Sequence, residues 1–80
     1  MLDFKGYIND NEFRINLYKD RINIVNYKEI LGINNKEIIV KSNDSKIIIN
    51  GENLVLSKLL DFEILIIGTV LKIEVTYETI

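Results

Sequence analysis

Cysteine, histidine, tryptophan and proline are all absent from the 80 residues of this chain. Without cysteine and histidine there is no disulfide bond, no thiolate or imidazole metal ligand, and no catalytic pair built on either residue. An uninterrupted apolar run of about 20 residues is also missing, because polar and charged residues break the most apolar stretch, 64–75. The first five residues lack the basic start and apolar core of a signal peptide. We therefore expect a protein that is not exported and has no transmembrane segment.

A strong charge of either sign is absent too. Ten Lys and Arg residues stand against 12 Asp and Glu residues, which gives a net charge of −2, and only Arg14 and Arg21 are arginines. Nucleic-acid binders usually carry a clustered basic surplus, so we expect no nucleic-acid partner. The spacing of the Asp and Glu residues in the sequence does not bring any two carboxylates together as a catalytic pair. Neither Gly51 nor Gly68 belongs to a phosphate-binding loop motif. We expect no catalytic residue, no cofactor-binding residue and no metal ligand, and hence no enzyme.

What the chain does contain is a repeat. Residues 47–56 and 64–73 both follow the pattern I-x-I-x-G-x-x-L-x-[LI]. Glycine at the first central position is typical of a type II′ two-residue turn, so the repeat predicts hairpins with structural turns at Gly51 and Gly68. The expected cross-strand pairs are all apolar: Ile49–Leu54, Ile47–Leu56, Ile66–Leu71 and Ile64–Ile73.

Apolar and polar residues alternate with period two along most of the chain, which is typical of β-strands. A first hairpin would pair Leu17 with Ile22. Polar turns at 34–37 and 43–44 would then pair Ile38 with Ile33 and Ile49, and Val40 with Leu31 and Ile47. We predict a single all-β domain over 1–80, a small antiparallel meander of about seven to eight strands forming a roll or sandwich, with 1–12 as a flexible arm or edge strand. A helix at 53–60 is the weaker alternative. The predicted strands are 13–18, 21–26, 29–33, 37–42, 46–50, 53–58, 62–67 and 70–77.

This meander would have two apolar faces. One carries enough residues for a core: Ile15, Leu17, Ile22, Ile24, Leu31, Ile33, Ile38, Val40, Ile47, Ile49, Leu54, Leu56, Phe62, Ile64, Ile66, Leu71, Ile73 and Val75. The opposite face, which should be polar, carries a second apolar row, in which Ile48 would lie between Ile39 and Val55. The row consists of Ile39, Ile48, Val55, Leu65 and Ile67. Either the sheet folds over and covers this row, or the row is an interaction face for a second copy or another partner.

Four segments, in order and without a large gap, resemble one known family. They are residues 24–31 (I-V-N-Y-K-E-I-L), 37–40 (E-I-I-V), 46–56 (K-I-I-I-N-G-E-N-L-V-L) and 63–74 (E-I-L-I-I-G-T-V-L-K-I-E). The region from about Arg21 to Tyr77 is similar to the YabP/YqfC family of sporulation proteins, and in particular to its YqfC branch. Each segment alone is a common β-hairpin pattern, whereas the ordered set is more specific.

The resemblance implies a non-catalytic protein with an assembly or scaffold role in endospore development. It further implies a location in the mother-cell cytoplasm, at the periphery of the forespore membrane or in the spore coat, with a YqfD-like membrane sporulation protein as partner. The second apolar row, as an interaction face, predicts a homo-oligomer. The alternative is a small β-barrel module that binds a ligand or a nucleic acid through its loops. A cluster of four lysines beside an exposed tyrosine would favour that alternative: Lys28, Lys36, Lys41 and Lys46.

Overall fold

The computed structural model describes residues 12–78, which contain six β-strands and no helix. The all-β prediction is thereby confirmed, and the helix considered for 53–60 is wrong. The predicted arm at 1–12 lies, apart from Glu12, outside the described residues. The strands are β1 (Arg14–Leu17), β2 (Arg21–Val25), β3 (Glu29–Ile33), β4 (Glu37–Lys41), β5 (Ser45–Leu59) and β6 (Glu63–Tyr77).

All six strands belong to one antiparallel sheet with the order β1-β2-β6-β5-β4-β3. The last four strands form a meander, and the β1–β2 hairpin joins the sheet beside β6. Residues 26–28 must therefore carry the chain from β2 to β3, past three intervening strands. Four strand spacings in a flat sheet measure about 19 Å, whereas four Cα–Cα steps reach at most about 14 Å. The sheet is consequently folded over on itself.

Folding brings the inward faces of both halves together in one core. Nine hydrophobic residues are buried there, and every one lies on the face that the alternation predicts: Ile22, Ile24, Ile38, Val40, Ile47, Ile49, Leu54, Ile64 and Ile66. Other residues predicted for this face stay exposed. Leu17, Ile33, Phe62 and Val75 lie at its margins, whereas at the bulges Ile30 and Val70 pack against the core in place of Leu31 and Leu71. Because the six strands are short or bent, folding the sheet over buries only the centre of its inner face.

The structure contains two three-stranded units with matching registers. Unit 1 comprises β1, β2 and residues 63–67 of β6, and unit 2 comprises β3, β4 and residues 45–50 of β5. Ile22 pairs with Ile66 in unit 1 as Ile38 pairs with Ile49 in unit 2. Each long strand then continues into the other unit, where its second half forms a strand at the edge.

The turns predicted at Gly51 and Gly68 are wrong, because both glycines lie inside the long strands. Gly51 pairs with Val70, and register shifts at 50/51, 52/55 and 56/58 bend the β5–β6 pair at this point. A Cβ atom on Gly51 would overlap the carbonyl oxygen of Thr69. A Cβ atom on Gly68, whose φ is 142°, would lie 2.7 Å from the carbonyl oxygen of Asn53. Glycine is required here so that two backbones can approach where the sheet bends.

This bend also explains why eight strands were predicted and six are found. The predicted strands 46–50 and 53–58 are the two halves of β5, and 62–67 and 70–77 are the two halves of β6. The apolar pairs expected around the glycines do not form: Ile49 pairs with Ile38 and Ile73, and Ile66 pairs with Ile22 and Leu56.

Elsewhere the predicted registers are confirmed. Leu17 pairs with Ile22, and Ile38 pairs with both Ile33 and Ile49. One further pair is wrong, because a bulge between Ile30 and Gly32 places Ile30 rather than Leu31 opposite Val40.

Candidate interaction surface

The carboxylates are dispersed over the sheet. Among residues 12–78, no three Asp or Glu side chains lie close enough together to hold a metal ion. The three ion pairs that the structure shows are exposed or half-exposed surface contacts: Arg21–Asp20, Lys41–Glu78 and Lys72–Glu74. Exposed pairs of this kind contribute little to stability and form no enclosed chemical site.

A cleft of about 540 Å³ lies beside the crossover between β2 and β3. Its lining is polar apart from two rings and consists of Asn26, Tyr27, Lys28, Asn43, Asp61 and Phe62. The polar groups of the crossover are used to hold the fold. The Asn26 side chain donates to the carbonyl oxygen of Glu12 at 2.8 Å. The backbone N–H of Lys28 donates to the carbonyl oxygen of Lys41, also at 2.8 Å. With φ at 63°, Asn26 makes the bend for which its residue type is suited.

Three apolar side chains form a patch on the outer face of the folded sheet: Val55, Leu65 and Ile67. Val55 and Ile67 are cross-strand partners, 60% and 47% exposed, and Leu65 lies two residues before Ile67 on the same face. Adjacent β-strands hold the three at fixed positions. We call them the outer apolar patch.

Polar side chains surround the outer apolar patch. Arg21 is the β2 neighbour of Ile67, while Asn23 and Lys58 are the neighbours of Leu65 on either side. Depressions flank the patch, one of about 190 Å³ beside Leu65 and one of about 500 Å³ beside Ile67. An apolar centre within a polar rim is the usual anatomy of a protein–protein interface.

The predicted interaction face is divided between the two units. Ile39 and Ile48 are cross-strand partners as predicted, but they lie on the outer face of unit 2 and are half-buried. Val55 does not lie beside Ile48, whose other neighbour is Glu74. The expectation of one continuous row was therefore wrong, because it depended on a hairpin turn at Gly51. The row is also not covered by the fold, since folding covers only the inner face.

The four lysines considered for nucleic-acid binding do not meet on one surface. Lys41 and Lys46 are cross-strand partners, and the N–H of Lys28 bonds to Lys41. Lys36, however, lies at the bend, where its carbonyl oxygen accepts from Gly51 at 2.9 Å. Alternation with Ile22 and Ile24 places Arg21 and Asn23 on the outer face, but it gives no signal that they lie beside Ile67 and Leu65 as the rim of the outer apolar patch.

No family model, curated protein sequence or solved structure matches this chain. Within residues 12–78 there is also no helix long and apolar enough to cross a membrane.

Proposed function

We propose that this protein is a non-catalytic assembly protein that docks a protein partner through the outer apolar patch. The observation that carries the proposal is the exposure of Val55 and Ile67, a cross-strand pair on the outer face of unit 1. Exposed apolar side chains scattered singly are normal on protein surfaces, whereas a contiguous group with a polar rim is typical of an interaction site. Because β-strands fix its geometry, the patch loses little side-chain or backbone freedom when it binds.

The resemblance of residues 21–77 to the YqfC branch supplies the biological setting of the proposal. In that setting the protein acts in the mother cell of an endospore-forming bacterium, and its partner is a YqfD-like membrane protein. A protein docked to such a partner would lie at the periphery of the forespore membrane. The proposed role is to help assemble that complex, so it requires no catalytic residue.

Co-purification tests the proposal. The chain, carrying an affinity tag, is co-expressed with the YqfD-like protein encoded in the same genome, and the complex is recovered in detergent. We expect Ile67→Lys to reduce recovery about ten-fold or more, since a charge buried at the centre of an interface costs several kcal/mol. Ile48→Lys is the matched control, because it puts the same charge on the outer face of unit 2 and should leave recovery unchanged.

Heat-resistant spore counts give a second readout. In a strain lacking the gene, the wild-type chain and Ile48→Lys should both restore sporulation, and Ile67→Lys should not. Equal recovery and equal spore counts for the two variants would contradict docking through this patch. Normal sporulation in the deletion strain itself would contradict the sporulation role while leaving the patch to be tested with another partner.

A further inference from the structure

Among residues 12–78, the second half of β6 forms an unpaired edge of the sheet. Residues 70–77 pair with β5 on one side, and β2 pairs with β6 only up to Ile67. Within residues 12–78, no other strand approaches β6. Most proteins shorten, bend or charge an exposed edge to prevent pairing with another chain. Here the edge extends over eight residues.

The hydrogen-bonding direction of this edge follows from the end of the strand. The backbone N–H of Glu78 donates to the carbonyl oxygen of Asp44 at 2.8 Å, which extends the register in which Ser45 pairs with Tyr77. Hydrogen-bonded residues alternate in an antiparallel pair. The N–H and C=O groups of residues 72, 74 and 76 therefore point to β5, and those of Ile73, Val75 and Tyr77 point to the open edge.

The side chains of this edge are self-complementary. Lys72 and Glu74 lie on the outer face and already approach each other within the chain, with Nζ and Oε1 3.5 Å apart. The inner side of the edge is apolar and incompletely covered: Ile73 packs against the core, and Val75 is 44% exposed. Leu71, the extra residue at the bulge, is 65% exposed. Each copy of this edge therefore carries both signs of charge on its outer face and exposed apolar side chains near its inner face.

We propose that two copies of this chain dimerise by antiparallel pairing of their β6 edges about a two-fold axis at Ile73. In this register the backbone N–H of each Ile73 donates to the carbonyl oxygen of the other Ile73. Lys72 of each copy faces Glu74 of the other, and Leu71 of each copy faces Val75 of the other. Two-fold axes at residue 72 or at residue 74 would place like charges opposite each other, which is unfavourable. An axis at Val75 would shorten the pairing, because β6 ends at Tyr77.

The proposal goes beyond partner docking and uses a different surface. The outer apolar patch lies on unit 1, whereas the proposed dimer extends the sheet of unit 2 across the two-fold axis. The dimer would present two outer apolar patches, so that one assembly could bind two partner molecules. Because the strand-edge contact is small, we expect a dissociation constant in the micromolar range.

Exchanging the charges of Lys72 and Glu74 tests the register proposed for the dimer. By sedimentation equilibrium on the full chain, Lys72→Glu and Glu74→Lys should each raise the dimer dissociation constant about ten- to thirty-fold, since each turns two attractive cross-strand pairs into repulsive ones. The double variant K72E/E74K restores both pairs with reversed sign, and it should return the constant to within about three-fold of wild type. Lys58→Glu, on unit 1, is the control and should leave the constant unchanged.

A backbone variant tests the edge independently of charge. Val75→Pro removes an N–H that points to the open edge and leaves the bonds between β5 and β6 in place, which is where proline is tolerated in a sheet. It should give a folded monomer, with folding verified by circular dichroism. A wild-type chain that stays monomeric up to about 300 µM would overturn the proposal, because another occupant would then use the edge. A dimer unaffected by both charge reversals and by Val75→Pro would also overturn it. Neither result bears on the outer apolar patch.

Discussion

Units 1 and 2 have the same inner face and different outer faces. The inner pairs Ile22–Ile66 and Ile38–Ile49 are fully buried in their respective units. At both bends a glycine N–H donates to a carbonyl oxygen of the preceding hairpin turn: Gly68 to Asp20 in unit 1 and Gly51 to Lys36 in unit 2, each at 2.9 Å. The residues that close the core and bend the sheet are thus alike in the two units.

On the outer face the matching positions differ in chemistry. Unit 1 has Asn23 beside Leu65, and unit 2 has Ile39 beside Ile48. Asn23 takes part in a polar ladder: it accepts from the Asn16 side chain at 3.1 Å and donates to Glu63 Oε2 at 2.9 Å. One shared core constrains the inward positions of both units together, whereas each outward position is constrained only by its own surroundings. Differences between the units therefore mark the surfaces available for separate functions.

Lysine substitutions at neighbouring positions give the largest expected contrast. Ile66→Lys and Ile49→Lys each place an unpaired ammonium group in the shared core and should unfold the chain. An uncompensated buried charge costs about 3–5 kcal/mol, and an 80-residue domain is stable by only about 4–12 kcal/mol. Ile67→Lys and Ile48→Lys, one residue away but on the outer face, should remain folded in far-UV circular dichroism and in thermal unfolding.

The difference between lysine substitutions on the inner face and on the outer face has to hold in both units. If Ile48→Lys unfolded the chain while Ile67→Lys did not, the outer face of unit 2 would be part of a core rather than exposed surface. If Ile49→Lys stayed folded, the two units would not share one core.

Alanine substitutions at the glycines test the bend. Gly51→Ala and Gly68→Ala should each lower the free energy of unfolding by about 2–4 kcal/mol, because the added Cβ atom meets backbone atoms that other strands hold in place. Gly32→Ala is the control, since its Cβ atom would meet only the Ile39 side chain, at 3.9 Å. Its effect should lie within about 0.5 kcal/mol of zero. Urea unfolding of the three variants measures the difference, and equal effects would contradict a close approach at the bend.

The error about these glycines shows what a local pattern can decide. A two-residue turn and a continuous bent strand preserve the same alternation, so I-x-I-x-G-x-x-L is compatible with both. The choice depends on distant partners: Asp20 bonds to Gly68 and Lys36 to Gly51. No window of the sequence around either glycine contains that information. The bulge at Leu31 was missed for a different reason: Ile30 and Leu31 are both apolar, so alternation alone does not decide which of them faces the core.

Apart from the bulge at Leu31, alternation was sufficient where partners are close in sequence. The first hairpin and the β4–β5 register were predicted correctly, as was the face of every buried hydrophobic residue. Only part of the interaction face was predicted. Whether a residue lies on the outer face follows from its odd or even position along the strand, whereas its neighbours on adjacent strands depend on the strand order and the register. Ile39 and Ile48 are adjacent in a local hairpin and were paired correctly, but Val55 was placed beside Ile48 through the wrong turn.

The hairpin turns of the two units give the smallest expected difference. Tyr18 and Asn34 occupy matching positions, since the N–H of each donates to a carbonyl oxygen three residues ahead, at 2.9 Å. The Asn34 side-chain oxygen also accepts from the N–H groups of Lys36 and Glu37, both at 2.8 Å, a local bonding pattern that fixes a turn. The Tyr18 ring instead lies under the Arg21 guanidinium, 4.3 Å from its centroid, in an exposed contact.

Asn34→Ala should therefore cost about 1 kcal/mol, because two hydrogen bonds are exchanged for bonds to water. Tyr18→Ala should cost about 0.5 kcal/mol, the lower limit for a cation–π contact in solvent. Asn34→Asp keeps the acceptor oxygen and should be close to wild type. Urea midpoints compared at constant m-value measure all three. If Tyr18→Ala proved more harmful than Asn34→Ala, the ring would be supporting the core of unit 1 rather than its turn, and the two turns would not be equivalent.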